Sequence, residues 1–188
     1  TCDQWCITVQ DHHITVFIDE VASHHNCMAC ALLFCLQCKG NAFRFDASCL
    51  GNHEFDNGIA ELARRLKNLR NDVVCANYDF TGTLLEGLVQ PYTIVRKAGK
   101  KIGIIGLLAN VADVVDSRIA AQLKFQDPAA TTQKYADYLR EVKKCDLIIC
   151  LSHLGYDGEP YTDVELAAET RGVDIIVGGH SHTKLKDK

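Results

Sequence analysis

From residue 50 onward, short runs of wholly apolar residues alternate with stretches whose apolar positions recur at helical spacing. After Asn57, the residues Ile59, Leu62, Ala63, Leu66 and Leu69 trace one helical face, and Val73 to Ala76 follow as a buried strand. Tyr92 to Val95 and Ile102 to Leu108 read as two strands, with a hairpin-like turn over 99–101 between them. Asp127 and Pro128 form an N-cap and first-turn pair ahead of Tyr135, Leu139 and Val142. The strand Leu147 to Leu151 comes next and ends at Ser152 and His153. Thr162 and Glu165 make a capping box for a helix that Gly172 can end, and Val173 to Val177 lead into Gly178, Gly179, His180, Ser181 and His182. Strands without polar alternation, separated by amphipathic helices, predict an α/β sheet covered on both faces. Ligands of such sheets bind beyond the carboxyl ends of the strands, where His153 and the His180/His182 pair fall.

Composition narrows the partners. The 188 residues are 47% hydrophobic and 23% charged, which suits one soluble domain with a sizeable core. A net charge of −4 offers no basic excess for a nucleic-acid polymer or an anionic membrane surface. No apolar run approaches the roughly eighteen residues of a membrane span. The chain begins at Thr1, so no leader can be judged, and it reads as a fragment at both ends. The cysteines Cys2, Cys6, Cys27, Cys30, Cys35, Cys38 and Cys49 crowd the N-terminal quarter. Two Cys-x-x-Cys pairs at 27–38 invite a structural zinc site, but the four residues between them (Ala31, Leu32, Leu33, Phe34) are apolar and few, which favours buried thiols.

One histidine alone is more often a hydrogen-bonded surface residue than a ligand. Here three separate segments deliver candidates. His180 and His182, two residues apart, fall on one side of an extended segment if the strand continues through them. Gly51 to Asp56 stand directly before a helix, so Asn52, His53 and Asp56 can face the same cleft.

The segments Gly-Asn-His-Glu-Phe-Asp-Asn-Gly (51–58), Cys-Ala-Asn-Tyr (75–78), Leu-Ser-His-Leu-Gly-Tyr-Asp (151–157) and Gly-Gly-His-Ser-His-Thr (178–183) resemble, in order, the motifs of calcineurin-like metallophosphoesterases of the 5'-nucleotidase and UDP-sugar hydrolase branch. The resemblance covers residues 41–188 and implies a layered αββα sandwich, here incomplete at its N-terminus. It implies two divalent ions (zinc, manganese or iron), with Asn52, His153 and His180 on one and His182 on the other. His53 with Asp56 would form the dyad that stabilises the transferring phosphoryl group. It further implies a small nucleotide or phosphomonoester substrate, a C-terminal substrate domain absent from this chain, and a periplasmic or secreted location. Asn77 is expected near the cleft without a chemical role.

The family pattern also asks for an Asp-x-His and a Gly-Asp ahead of Asn52, and residues 1–40 contain no clear copy of either. Asp11 and His13 match Asp-x-His in letters, and Asp19 stands at about the spacing of the bridging carboxylate, but it follows Ile18 rather than glycine. The first metal site is therefore expected to be incomplete. The abrupt change near Gly40 suggests a frame change or a substituted exon. Two competitors to an active hydrolase follow: a metal-depleted, inactive remnant of the same domain, and a cysteine-based zinc-binding module.

Overall fold

The structure is a computed structural model that describes residues 3–10, 13–20, 45–113 and 115–183. The cysteines of the zinc reading (Cys27, Cys30, Cys35, Cys38) and Asp11 lie outside the described residues.

Two four-stranded sheets form the centre. The first has the order β2 (His13–Glu20), β1 (Asp3–Gln10), β3 (Ala47–Cys49), β4 (Asp72–Val74). The second runs β10 (Ile175–Gly178), β9 (Leu147–His153), β7 (Lys100–Leu108), β6 (Tyr92–Lys97). A two-stranded pair, β5 (Tyr78–Asp79) and β8 (Lys124–Phe125), lies apart.

Side-chain alternation divides the apolar residues among three layers. Ala47, Cys49 and Val74 of the first sheet meet Ile102, Ile104, Ile149, Leu151 and Val177 of the second, which makes the face between the sheets the central core. Val73, neighbour of Val74, points the other way, where it packs with Ile59, Leu62 and Leu66 of α1 (Gly58–Leu66). On the far side Ile105, Ile148 and Cys150 pack against Ala136 of α3 (Pro128–Asp137), Leu139, and Leu166 of α4 (Asp163–Glu169). A short helix, α2 (Ser117–Ala120), precedes β8. The result is the α/β, layered αββα arrangement, with β7 and β9 buried on both faces, which is why those strands read as unbroken apolar runs.

Local expectations are met in most places and shifted in some. The Asp127 side chain accepts a hydrogen bond from the Ala130 N–H, so it caps α3 as expected, but the helix continues into a wider π turn over Tyr138–Val142. The Thr162/Glu165 capping box is formed. Helix α4 ends at Glu169, three residues before Gly172, because Thr170 already adopts extended backbone angles. The hairpin turn is tighter than expected: Ala98 and Gly99, both at positive φ, join β6 directly to β7. That antiparallel pair makes the second sheet mixed, while β7, β9 and β10 run parallel.

The N-terminal hairpin bears on the missing ligands. Strand β1 pairs antiparallel with β3, Cys6 opposite Ser48 and Ile7 opposite Ala47. The hairpin end, where Gln10 pairs with His13, therefore lies toward the start of β3 and away from Asn52. His13 of the Asp-x-His reading begins β2 at the end of the sheet away from Asn52. Asp19 pairs with Gln4 and rises toward the correct end, but β1 stands between β2 and β3, which separates their backbones by about 10 Å.

Candidate functional site

Strand β3 delivers the first group. Beyond Cys49 the chain turns through a 3-10 segment, Asn52–Phe55, closed by the buried Glu54 carboxylate, whose Oε2 accepts the Gly51 N–H at 2.6 Å. Gly51 is needed for space: a Cβ there would stand 2.8 Å from Glu54 Oε2 and 2.9 Å from His153 Cε1. The turn buries Asn52 at 6% exposure and leaves His53 at the surface, where its Nδ1–H donates to Asp56 Oδ2 at 2.9 Å.

His153 is the last residue of β9 and is 7% exposed. Its Nε2 lies 3.0 Å from Asn52 Oδ1. Its ring centroid lies 4.9 Å from that of His180. Burial pulls the His153 imidazole down to about 3, and the neighbouring imidazoles of His180, His53 and His182 add to the effect in that order. His153 is thus held neutral, the form in which an imidazole nitrogen carries a lone pair for a metal.

The His-x-His segment is not extended, contrary to expectation. Strand β10 stops at Gly178, and His180 and His182 adopt positive φ values of 75° and 57°. Non-glycine residues seldom occupy that region, and two such residues in one segment are a feature typical of functional loops. The two imidazoles are consequently placed by loop geometry rather than by strand alternation. His180 sits half-buried beside His153, while His182 is exposed. The loop is laced to the one after β9: Tyr156 N–H donates to Ser181 Oγ at 2.9 Å, and Thr183 Oγ1 donates to Asp157 Oδ1 at 2.7 Å.

All four predicted histidines, with Asn52 and Asp56, are therefore gathered at one end of the two sheets. Pattern reading missed three acidic residues there. Glu54 closes the turn that carries Asn52. Glu159 Oε1 lies 3.3 Å from His180 Nε2 and leaves Nδ1 of that ring for a second partner. Burial lowers the His180 pKa, and Glu159 opposes that shift. Asp163 is a carboxylate only 9% exposed, which burial raises to about 6. Neither Glu159 nor Asp163 follows a strand end, so position gave no signal. Asn77 serves the framework. Its Nδ2 donates to the Leu108 carbonyl at 2.7 Å and its Oδ1 accepts the Leu108 N–H at 3.0 Å, which ties the end of β7 to the segment between β4 and β5.

Asn52 and His153 offer donor types that suit a divalent ion. An amide oxygen and a neutral imidazole nitrogen 3.0 Å apart match two ligands at right angles around an ion with bonds of about 2.1 Å. Among the described residues no three His, Cys, Asp or Glu side chains are grouped to hold a metal, at this position or elsewhere.

Comparison with known proteins agrees with the fold. The family model described as calcineurin-like phosphoesterase matches residues 23–184. A snake venom 5'-nucleotidase of Naja atra is 37% identical over 149 residues, covering 77% of this chain and 27% of that protein. The 5'-nucleotidase of Homo sapiens is 36% identical with 77% and 25% coverage. Among solved structures, a 5'-nucleotidase precursor from Thermus thermophilus superposes with a TM-score of 0.74 at 38% identity, over 85% of this chain and 30% of that one. The chain spans about a quarter of the length of the curated relatives it matches. The ordered motifs, the αββα layers and the matched family model together show that the chain belongs to the calcineurin-like phosphoesterase family.

Proposed function

We propose that this chain carries the catalytic part of a metal-dependent phosphoester hydrolase of the 5'-nucleotidase type, acting on nucleotides or related phosphomonoesters outside the cytoplasm. The observation that supports it best is the approach of His153 Nε2 to Asn52 Oδ1, which joins two strand ends from different sheets at one point. Members of the family generally use two divalent metals. In this reading Asn52, His153 and His180 hold one ion, and His182 is the described residue that addresses the other. Divalent ions bound there supply Lewis-acid polarisation and neutralise the charge of the phosphoryl group.

The chain's own residues then have distinct roles. Asn52 contributes an oxygen that needs no deprotonation, and buried His153 stays neutral across the physiological range. His53 presents Nε2 on the side of the ring away from Asp56, where it can face a phosphoryl oxygen. Asp56 fixes the ring orientation through Nδ1.

A second reading, the metal-depleted remnant, is favoured by the antiparallel pairing of β1 with β3, which carries His13 away from Asn52. Without a bridging carboxylate two dications would repel strongly in the cleft. Hydrolysis of p-nitrophenyl phosphate and AMP across a manganese and zinc series, with His53→Ala as control, separates the two. Turnover abolished by that substitution supports the hydrolase. A chain that binds one Mn²⁺ per molecule yet gives only feeble turnover supports the remnant.

A further inference from the structure

Ser152 and Gly178 are directly opposed in the parallel pairing of β9 with β10. Each stands just ahead of a candidate ligand, Ser152 next to His153 and Gly178 two residues before His180. The side chain of Asp163, from the first turn of α4, lies across this pair. The Ser152 hydroxyl lies close enough to that carboxylate to oppose the effect of burial on its pKa, and Ser152 Oγ accepts the Leu154 N–H at 3.2 Å. On the other strand Asp163 Oδ2 fills the space that a side chain on Gly178 would need, and its Cγ lies only 3.1 Å from an ideal Cβ there. The Asp163 N–H donates to the Gly155 carbonyl at 2.8 Å, which ties the start of α4 to the loop that leaves His153. Asp163 Oδ1 is buried with no hydrogen-bond partner. A carboxylate so placed costs more than an apolar side chain of similar size would. Its contacts account for it only as a brace between two strand ends.

We infer that Asp163 is a positioning residue: by bracing Ser152 against Gly178 it sets the separation and orientation of the His153 and His180 imidazoles. The inference rests on the reading of those histidines as ligands, but it concerns the geometry of the protein without metal and can be tested there. Partners that orient ligating side chains typically contribute about 10- to 100-fold to metal affinity.

The test is imidazole ¹⁵N–¹H correlation spectroscopy of the labelled chain without metal, followed by calorimetric titration with Mn²⁺. In Asp163→Ala the signals of His153 and His180 are expected to move together, while that of His53, oriented by Asp56 on a separate turn, stays in place. Mn²⁺ affinity should fall about tenfold. Asp163→Asn, which can still accept from Ser152, should restore both readouts. Unmoved His153 and His180 signals in folded Asp163→Ala would overturn the inference, as would displacement of all three histidines alike. If Asp163→Ala does not fold, Ser152→Ala decides. It keeps the carboxylate but removes its donor, and the same paired displacement is expected, whereas none refutes the brace. Failure of Mn²⁺ to perturb His153 in the parent chain would instead count against the ligand reading and leave the metal-free result standing.

Discussion

Asn52 Oδ1 and His153 Nε2 stand 3.0 Å apart although 101 residues separate them in the chain. One atom comes from the turn after β3 in the first sheet and the other from the end of β9 in the second, so the contact exists only when the sandwich is assembled. If both atoms bind one ion, Asn52→Ala and His153→Ala should each weaken Mn²⁺ binding at least about tenfold, with the double variant little worse than the poorer single one. Calorimetry on the three variants checks this. Losses that multiply independently would mean that the two side chains do not share an ion.

Glu159 and His180 form a partly exposed pair at 3.3 Å. Such pairs add at most about 1 kcal/mol to stability. Glu159→Ala should therefore melt close to the parent temperature. Loss of the carboxylate that orients His180 should nevertheless reduce Mn²⁺ affinity severalfold. An unchanged affinity would show that Glu159 has no part in orienting the ring.

Two glycines of β7 predict different costs. A Cβ on Gly106 would collide with the Val74 carbonyl, where backbone of the facing sheet cannot yield. On Gly103 it would meet only the end of the Leu139 side chain, 2.9 Å away, which can turn aside. Gly106→Ala should cost about 3 kcal/mol or more, and Gly103→Ala about 1 kcal/mol. Urea denaturation of both variants tests the order, and equal losses would contradict the tight sheet-to-sheet approach at Val74.

Burial raises Asp163 from 3.8 to about 6 in the folded chain. Between those values the native state holds more protons than the unfolded one, so stability falls as pH rises from about 4 to about 6. The penalty, on the order of 3 kcal/mol, is then fully present above the folded pKa. Asp163→Asn cannot ionise. Its stability relative to the parent should therefore improve by up to that amount between pH 4 and pH 7.5, as read from thermal or urea melts at each pH. A difference that stays constant across the range would mean that the carboxyl is not strained by burial.

Much of the fold lay open in the one-dimensional pattern. Leu147 to Leu151 is uninterrupted by polar residues because β9 is buried on both faces, and Ile59, Leu62 and Leu66 recur at helical spacing because α1 covers one sheet. The caps at Asp127 and Thr162 are local hydrogen bonds between near neighbours, so they too are written in the sequence. The same holds for the His53–Asp56 pair, three residues apart on one turn. What tertiary structure decided involves groups distant in the chain or departures from regular backbone. The left-handed conformations of His180 and His182 replaced the alternation expected of a strand, since loop contacts through Ser181 and Thr183 fix them. The direction of β1, and with it the place of His13, depends on strand pairing that no periodicity encodes. Asp163 reads in sequence as an ordinary first-turn acid. Only packing of α4 against the Ser152–Gly178 pair buries its carboxylate, because desolvation is a property of the assembled surroundings and not of the residue.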